Sequence, residues 1–415
     1  MRCQHLHCAA MQSLQALQEQ LHSGALRGAR QITLAAGLRE FPRELFALAD
    51  TLEMLDLSGN QLSSLPDDLT RFSQLRVLFA SNNPFTELPR VLGRMPRLEM
   101  VGFKACQIRT VTADSLPPQL RWLILTDNQI TELPDTLGER PRLQKLMLAC
   151  NQLQSLPSGL AHSPRLELLR LAGNRFAALP PEVLAMPALA WLAMAGNPMT
   201  LHSEQQVLQA NAAAAWRGDD LQRQELLGQG ASGHIYRASA VDGGPDVALK
   251  VFKAGQTSDG TPQSEMAAGL AAGQHPHLLT PLAVLQADVD ASSQELAMVL
   301  PLLPPGLQPL AGPPSLASCT RDVYADGARF SAAAAQRLLA QVRSAVAHLH
   351  GQGMLHGDVY AHNILWNPAT GDAVLSDLGA ASMLGELPAA QRLQLQQMEL
   401  RALRHLEAEV QARTH

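Results

Sequence analysis

Leucine returns at a nearly constant interval through the first half of the chain. Copies or near copies of the pattern LxxLxLxxNxL begin 22 or 23 residues apart, at Leu52, Leu75, Leu98, Leu120, Leu143, Leu166 and Leu189. Side chains alternate along a β-strand, so the inner leucines of each copy share one face. No single copy can bury that face alone, which predicts a stack of short parallel strands over about residues 25–200.

A polar position completes each repeat. Cys106 occupies it in one copy, and the others carry Asn60, Asn83, Asn128, Asn151, Asn174 and Asn197. The whole pattern resembles the leucine-rich-repeat family, which implies a solenoid with parallel strands on its concave face. The resemblance also implies that the asparagine amides bond the backbone of adjacent turns. Because such a stack needs caps, we expect a capping helix in residues 1–24 and a capping and linker helix in residues 201–219.

Strand alternation also predicts which side chains face outward on the concave side. Most residues in the two outward rows are apolar, although the second row includes Arg170. An exposed apolar stripe often marks an interaction site, so we expect a groove for a partner protein or for the chain's own second half. The alternative is that neighbouring side chains merely cover one another. The groove residues are Met54, Val77, Phe79, Met100, Trp122, Ile124, Met147, Leu168 and Trp191.

The repeat period stops near Asp220, where the pattern changes to strand, glycine-rich turn, strand and helix. The turn GQGASG begins at Gly228 and fits GxGxxG, which alone is a weak signal. It is followed by Val-Ala-Leu-Lys ending at Lys250, in a chain with only four lysines. Glu265 then lies on a predicted helix. The glycine turn, Lys250 and Glu265 together suggest a phosphate-binding site more strongly than the glycines alone do.

A second set of motifs follows a predicted long helix over residues 331–350. HGDVYAHN contains Asp358 and Asn363, and SDLG contains Asp377. In this order and spacing, the motifs from Asp220 onward resemble the protein-kinase family over about residues 220–380. The combination is similar to bacterial leucine-rich-repeat protein kinases with a compact C-terminal lobe. It implies a multidomain α/β plus α+β chain, with a two-lobed, C-terminally shortened kinase-like domain over residues 220–415 after the solenoid of residues 25–200.

The kinase resemblance implies that the first motifs hold ATP. Glycines let backbone N–H groups approach phosphates without obstruction by side chains. Lys250 would hold the α- and β-phosphates and pair with Glu265, while Ile235 and Ala248 would enclose the adenine. The residues expected at the nucleotide are Gly228, Gly230, Ser232, Gly233, Ile235, Ala248 and Lys250.

The later motifs imply the metal ligands and the catalytic aspartate. Asn363 and Asp377 would hold Mg²⁺, which prefers oxygen ligands. Asp358 would accept or orient the proton of the substrate hydroxyl and, with Lys250 and Glu265, would form the catalytic set. Phosphoryl transfer asks for little beyond this positioning and charge neutralisation.

Two of the departures from the family concern regulation and substrate recognition. Gly357 replaces the arginine that usually precedes the catalytic aspartate, which implies a non-RD kinase whose activity is not switched by loop phosphorylation. Only 38 residues follow Asp377, so the expected C-terminal lobe is shortened, with Glu399 and Arg401 as possible anchors of a replacement helix. The nucleotide contacts all lie upstream, so peptide recognition is the step that this shortening puts in doubt.

Composition and charge limit the expected partners and the cellular compartment. The net charge of -5 gives no electrostatic footprint for nucleic acid, and no apolar run approaches the roughly 20 residues of a membrane span. The five cysteines are an odd number without framework spacing, which favours the reducing cytoplasm.

These observations favour an ATP- and Mg²⁺-dependent protein kinase, of serine or threonine specificity, with the repeats as its protein-binding arm. A pseudokinase scaffold, supported by the shortened lobe, is the first alternative. The second is a small-molecule phosphotransferase, because HGDVYAHN also resembles the HGDxxxxN loop of aminoglycoside and choline kinases. The glycine turn and Lys250 argue against that second alternative.

Overall fold

The computed structural model describes residues 8–11, 13–212, 216–217, 220–230, 232–253, 257, 259–286 and 296–415. The chain divides into two compact units by its internal packing. The first comprises residues 1–167 and 180–188, and the second comprises residues 168–179 and 189–415. In the described part of the chain, no helix is both long and apolar enough to cross a membrane.

The first unit is a ladder of short parallel strands with one strand per repeat. Each strand pairs with the next in phase, so that Met54 lies opposite Val77 and Val77 opposite Met100. The strands are β1 Cys8–Met11, β2 Gln31–Leu34, β3 Met54–Asp56, β4 Val77–Phe79, β5 Met100–Gly102, β6 Trp122–Ile124 and β7 Lys145–Met147. Helix α1, Leu14–His22, lies in the region expected for the first cap, and Ser13 caps it through a bond from Ala16 N.

Short helices return the chain between these strands. They are mostly 3-10 turns because a step of 23 residues leaves little room for longer helices between successive strands. Their bounds are Arg43–Leu48, Asp67–Arg71, Arg90–Arg94, Ala113–Ser115, Asp135–Glu139 and Ser158–His162, with α2 at Pro181–Ala185.

The inner leucines and the asparagines behave as the repeat pattern predicts. Leu52, Leu55 and Leu57 are fully buried. Asn60 donates to Leu34 O at 2.7 Å and to Leu57 O at 2.8 Å, and its side-chain oxygen accepts from Leu38 N of the preceding repeat at 3.0 Å. The predicted asparagine ladder is therefore confirmed at this position, where it satisfies buried backbone groups that stacking removes from water.

The outward rows are less open than expected. The prediction of exposure is wrong for the residues that are at least nine-tenths buried, which are Val77, Met100, Met147, Leu168 and Trp191. Met54, Phe79, Trp122 and Ile124 are half-buried. Part of the cause is mutual cover, because Lys145 Nζ lies 4.3 Å above the Trp122 ring and Trp122 Nε1 lies 3.3 Å from Met147 Sδ. Partner binding by the half-buried members stays a prediction.

The second unit begins with the last two repeat strands, β8 Leu168–Arg170 and β9 Trp191–Ala193, which pair in parallel. Helix α3, Pro198–Asn211, follows β9. The expected domain bounds separate residues 25–200 from residues 220–415, whereas chain packing groups these last strands with the later residues. The domain bounds themselves stay a prediction.

A six-stranded sheet and helix α4, Pro262–Ala272, form the next part of the second unit. The sheet order is β10-β14-β15-β13-β12-β11, and β11 to β13 are consecutive antiparallel neighbours. The strands are β10 Trp216–Arg217, β11 Leu221–Gln229, β12 Gly233–Ala240, β13 Val247–Phe252, β14 Ala283–Gln286 and β15 Ala297–Pro301.

A mostly helical part completes the second unit. Helix α5, Ala332–Gly351, is capped by Ser331, whose side chain accepts a bond from Ala334 N. The remaining elements are β16 Gln308–Pro309, β17 Met354–Leu355, a 3-10 turn at Ala361–Asn363, β18 Ile364–Trp366, β19 Ala373–Leu375, β20 Ser382–Met383 and α6 Ala389–Gln411. A parallel repeat sheet followed by a two-lobed α+β domain is the predicted fold class, which is confirmed.

Candidate active site

The glycine-rich turn connects β11 and β12. A Cβ on Gly233 would lie 2.4 Å from the carbonyl oxygen of Val251, so the fold itself requires glycine there. A Cβ on Gly228 or Gly230 would meet nothing within 4 Å. The protein's own packing therefore explains the third glycine of the motif but leaves open space beside the first two.

The predicted lysine and glutamate form a buried ion pair. Lys250 lies on β13 opposite Ile235, and Glu265 lies in the first turn of α4. Their side chains are only 9% and 4% exposed, and Lys250 Nζ donates to Glu265 Oε1. Burial raises the pKa of Glu265, although the ammonium of Lys250 opposes that shift. The pair joins the sheet to the helix.

One cleft brings several of the predicted nucleotide-binding residues together. Ala248 lies outside its lining, in an apolar cluster with Met298 and Leu300, against which Ile235 also packs. Gly228 is likewise absent from the lining formed by the described residues. The lining residues are Gly230, Ser232, Gly233, Ile235, Lys250, Thr257, Asp259, Glu265, Asp377 and Gly379. Lys250 and Asp377, 127 positions apart in the sequence, thus face the same space.

The loop from His356 to Asn363 is held by its own side chains. His356 is fully buried; one ring nitrogen is 3.1 Å from Ser376 O, and the other accepts from Asp358 N at 3.2 Å. Asn363 Nδ2 donates to the backbone oxygen of Asp358 at 3.0 Å and to its carboxylate Oδ2 at 2.9 Å. These bonds fix Asp358 and Asn363 side by side.

Asp377 has a backbone conformation that is unusual for its residue type. Its φ of 62° lies in the left-handed region, and its Oδ1 accepts from Gly379 N at 3.1 Å. Such strain often occurs at functional sites. Among the described residues, no three His, Cys, Asp or Glu side chains form a metal-binding group. Mg²⁺ usually takes only one or two protein carboxylates beside phosphate and water oxygens. Asp377 offers such a carboxylate in the cleft, whereas Asn363 and Asp358 are not among the described residues that line it.

Backbone packing requires glycine at position 357, which the sequence did not reveal. Its φ is +75°, and a Cβ would lie 2.4 Å from Ala380 O and 2.6 Å from Leu192 O. Its N–H donates to Glu399 Oε1 at 2.6 Å, and Glu399 is 1% exposed. Only glycine suits this conformation and this close approach, so backbone packing by itself excludes the arginine of the family pattern.

Helix α6 holds the loop and the last repeat. Glu399 also accepts from His350 through Oε2 at 2.8 Å, and Arg401 Nη1 donates to Leu189 O at 2.7 Å. Both residues were possible anchors from the sequence, and both make long-range bonds.

Two repeat residues lie directly on the loop from His356 to Asn363. Arg170 is 3% exposed; its Nη1 donates to Gly357 O at 3.0 Å, and its Nη2 donates to Asp358 Oδ1. Trp191 is 1% exposed, stacks on Tyr360 with ring centroids 4.3 Å apart, and donates from Nε1 to Val359 O at 3.1 Å. The burial of Trp191, which we expected to face solvent, is therefore caused by the loop that contains Val359 and Tyr360.

Arg170 governs the electrostatics of Asp358. Burial by itself would raise the pKa of Asp358, but the Arg170 guanidinium, helped by His362, holds it below its usual range. Burial would lower the pKa of Arg170, but Asp358 and Asp259 raise it. The arginine stays charged, and it keeps the carboxylate ionised.

A second repeat contact reaches the helix that carries Glu265. Glu204, on α3, is 4% exposed; its Oε2 accepts from Ser264 Oγ and its Oε1 from Gly196 N, both at 2.8 Å. Ser264 directly precedes Glu265 on α4. The carboxylate thereby connects the end of the last repeat to the helix of the buried ion pair.

Sequence reasoning identified the motif residues but missed their repeat partners. Arg170 was visible as a member of an outward row, and Asp259 precedes a glycine in a polar stretch. Neither feature indicates a long-range pairing. Arg170 and Asp358 are separated by 188 positions, so only the packing of the chain reveals that they meet.

Comparisons with known proteins agree with the two kinds of motif. Residues 221–397 match the family model described as protein kinase domain, and residues 51–72 and 118–176 match models described as leucine rich repeat. A solved leucine-rich-repeat protein of Leptospira interrogans has a TM-score of 0.37 and 24% identity, covering 46% of this chain and 54% of that chain.

Two curated relatives have kinase names. CBL-interacting protein kinase 22 of Oryza sativa subsp. japonica is 30% identical over 38% of this chain and 35% of its own length. Cyclin-dependent kinase B2-1 of Arabidopsis thaliana is 25% identical over 39% of this chain and 50% of its own. The chain thus spans between about a third and half of the length of these relatives. The matches support a chain in which leucine-rich repeats precede a protein kinase domain.

Proposed function

We propose that the chain is an ATP-dependent protein kinase that transfers a γ-phosphoryl group to a serine or threonine hydroxyl of a protein. The observation that carries the proposal is the buried Lys250–Glu265 ion pair in the cleft that Asp377 also lines. Two charges taken out of water lose more hydration energy than their attraction returns unless their geometry is good and further bonds satisfy them. A metal-bound triphosphate would supply the matching negative charge and the transferable phosphoryl group.

The residues of the small lobe have the chemistry to hold the nucleotide. The open space at Gly228 and Gly230 leaves backbone N–H groups free of side-chain obstruction. Lys250 would neutralise phosphate charge while Glu265 fixes its ammonium. Ile235 borders the cleft, and Ala248 supports it from the apolar cluster behind, so both suit the adenine end.

The residues of the large lobe have the chemistry to bind the metal and orient the acceptor. Asp377 offers a carboxylate in the cleft, and the amide of Asn363 donates to Asp358, which leaves its oxygen as the ligand atom. Asp358, held ionised beside Arg170, would accept or orient the hydroxyl proton. Gly357 makes this a non-RD site, for which we propose activity without switching by loop phosphorylation.

We also propose that the outward residues of β3 to β7 recruit a protein substrate. Their half-buried apolar members, such as Trp122 and Ile124, offer a contact surface on a rigid ladder. Docking there would raise the effective concentration of the substrate at Asp358.

One observation favours a second function, that of a nucleotide-binding pseudokinase scaffold. Both carboxylate oxygens of Asp358 are hydrogen-bonded, one by Arg170 and one by Asn363, and the side chain is 17% exposed. A substrate hydroxyl would have to share this carboxylate with bonds already made.

Phosphate transfer from labelled ATP with Mg²⁺ separates the two functions. The test uses the full chain, a mixture of unphosphorylated protein acceptors, and the variants D358N and D377N. Label on serine or threonine that both variants abolish supports the kinase. Tight MgATP binding without label on any acceptor supports the scaffold, whereas label on small hydroxyl compounds alone contradicts both.

A further inference from the structure

Arg170 has an uncommon position for a repeat residue. It lies at the end of strand β8, within a repeat whose Leu169 and Leu171 are fully buried in the usual way. Yet its guanidinium is directed to the catalytic loop, where it donates to Gly357 O and to the carboxylate of Asp358. The strand geometry of the repeat therefore places a cation at the proposed catalytic aspartate.

The same guanidinium reaches the wall of the nucleotide cleft. Arg170 Nε lies 2.8 Å from Asp259 Oδ1, and Asp259 lines the cleft with Lys250 and Asp377. Asp259 belongs to a tight turn in which its N–H and that of Gly260 donate to Thr257 Oγ1 at 3.3 and 3.2 Å. One side chain thus connects the loop that carries Asp358 to a turn of the small lobe.

The shape of arginine suits this arrangement better than any other cation. Three of its nitrogens address three separate oxygens, on Gly357, Asp358 and Asp259. The contacts with Gly357 and Asp358 are hydrogen bonds, whereas the contact between Nε and Asp259 is an ion pair without hydrogen-bond geometry. A planar, permanently charged guanidinium holds such contacts in fixed directions, whereas a lysine ammonium is a point charge on a flexible stem. The hydrogen bond from Nη2 orients the Asp358 carboxylate, and the ion pair at Nε connects the same guanidinium to Asp259.

The contact between Arg170 and the loop of Asp358 lies among other buried contacts of the second unit. Leu192 O approaches Gly357 so closely that a Cβ there would lie 2.6 Å away. Trp191 is buried on Tyr360, and Met194 N donates to Ser382 Oγ at 2.9 Å. A removable lid would have to break all of these buried contacts together, so a permanent structural role fits them better.

We propose that Arg170 is a positioning residue of the catalytic loop, supplied by the repeat array, which orients the carboxylate of Asp358 and ties it to Asp259. This inference rests on the proposed kinase function. It implies that the repeats contribute to phosphoryl transfer itself, in addition to any partner that they bind.

The first test compares R170M and R170K with R90M in the full chain. Arg90 makes an ion pair with Asp114 in the first unit, so R90M removes a repeat arginine away from the site. R170M is expected to lower kcat about 100-fold with the MgADP dissociation constant changed less than about 3-fold, because a small misplacement of a reacting group is costly. R170K keeps the charge and should recover part of kcat, and R90M should equal the unaltered chain.

Each contrary result overturns the positioning role. A higher kcat for R170M would mean that Arg170 blocks Asp358. An unchanged kcat would mean that the contact has no bearing on transfer. An equal loss in R90M would mean that any damage to the repeats slows the reaction. If R170M does not fold, the kcat of R170K tests the proposal instead. An unaltered kcat in R170K would show that an ammonium suffices, which would contradict the need for contacts with three separate oxygens.

Hydrogen–deuterium exchange separates failure of this inference from failure of the proposed function. If the unaltered chain transfers no phosphate, the kinase proposal fails. Hydrogen–deuterium exchange then still tests whether Arg170 holds Asp358 and Asp259 together. R170M should then speed exchange about tenfold in the segments around Asp358 and Asp259, with R90M without effect there, because loss of a tie lowers the opening free energy locally. Unchanged exchange in either segment overturns the inference.

Discussion

The strands of the first unit and the last two repeat strands come from one sequence pattern but have different surroundings. Trp122 on β6 is half-buried under Lys145, whereas Trp191, at the equivalent position of β9, is 1% exposed and stacks on Tyr360. Inward positions do not differ in this way, since Leu55 and Leu192 are both fully buried. The repeat period thus determines the inner face, while the outer face depends on what packs against it.

The comparison shows that the second unit begins within the repeats and not after them. Residues 168–179 and 189–200 pack with the kinase residues, although the repeat pattern assigns them to the solenoid. A cut after residue 200 would remove Arg170 and Trp191 from the loop that they contact. Loss of activity after such a cut would therefore not identify the repeats as a substrate-binding arm.

The largest expected effect concerns the two tryptophans. W191A should lower the free energy of unfolding by about 3–5 kcal/mol, because it removes a fully buried ring and leaves a cavity on Tyr360. W122A should cost about 1 kcal/mol, since its ring is half-buried and loses mainly the contact with Lys145. Urea unfolding of both variants measures the difference. Equal costs would contradict the distinction between the two regions.

Two glycines offer the next comparison. G357A should cost about 3 kcal/mol, because its φ is +75° and the added methyl would meet two backbone oxygens that cannot move independently. G102A, on β5, would meet the ring of Phe79, which is able to turn, and should cost about 1 kcal/mol. Thermal unfolding of the pair provides the measurement, and the comparison breaks if G102A is the more damaging.

Substitution of two buried carboxylates tests whether a loss of MgADP affinity is specific to the second unit. E204A removes the bond to Ser264 beside Glu265 and should weaken MgADP binding about 5-fold, or about 1 kcal/mol. Glu99 in the first unit bonds Arg76 and Arg142 instead, and E99A should leave MgADP affinity unaltered. Titration calorimetry tests both variants. Matching losses of affinity would show that Glu204 has no special connection to the nucleotide site.

The smallest expected effect is a pH dependence confined to the second unit. Burial, followed by the nearby Asp322, raises the pKa of Glu409 to about 7. Below its ordinary value the carboxyl is protonated in both states, and its contribution to stability is lost as pH rises through about 7. E409Q, which keeps an amide near Tyr324, should flatten this part of the stability profile. A profile that E409Q leaves unaltered between pH 5 and 8 would contradict the assignment.

The sequence predicted the parts of the site that local patterns encode. Lys250, Glu265, Asp358, Asn363 and Asp377 belong to motifs whose order and spacing are visible along the chain, and the structure brings the lysine and Asp377 to one cleft. The inner leucines follow from strand alternation. These features depend on residue type and spacing, which a sequence shows directly.

The remaining contacts depend on packing between distant segments. The burial of Trp191 requires Tyr360, and the need for glycine at position 357 arises from the approach of Leu192 O, neither of which has a local signal. Absence of the family arginine suggested a regulatory difference, and the structure adds a steric reason. The sequence left open whether the outward rows contact a partner or the chain's own second half, and in the last two repeats the structure shows contact with the same chain.

A double-mutant cycle between Arg170 and Asp358 tests most directly whether the last repeats are coupled to the loop that carries Asp358. The free energies of unfolding of R170M, D358N and the double variant are measured together with the unaltered chain. Because the two side chains form a buried ion pair, we predict a coupling of about 2 kcal/mol or more, with R170M far less damaging once Asp358 is neutral. Additive costs, with a coupling near zero, would mean that the repeat arginine and the catalytic-loop aspartate do not depend on each other.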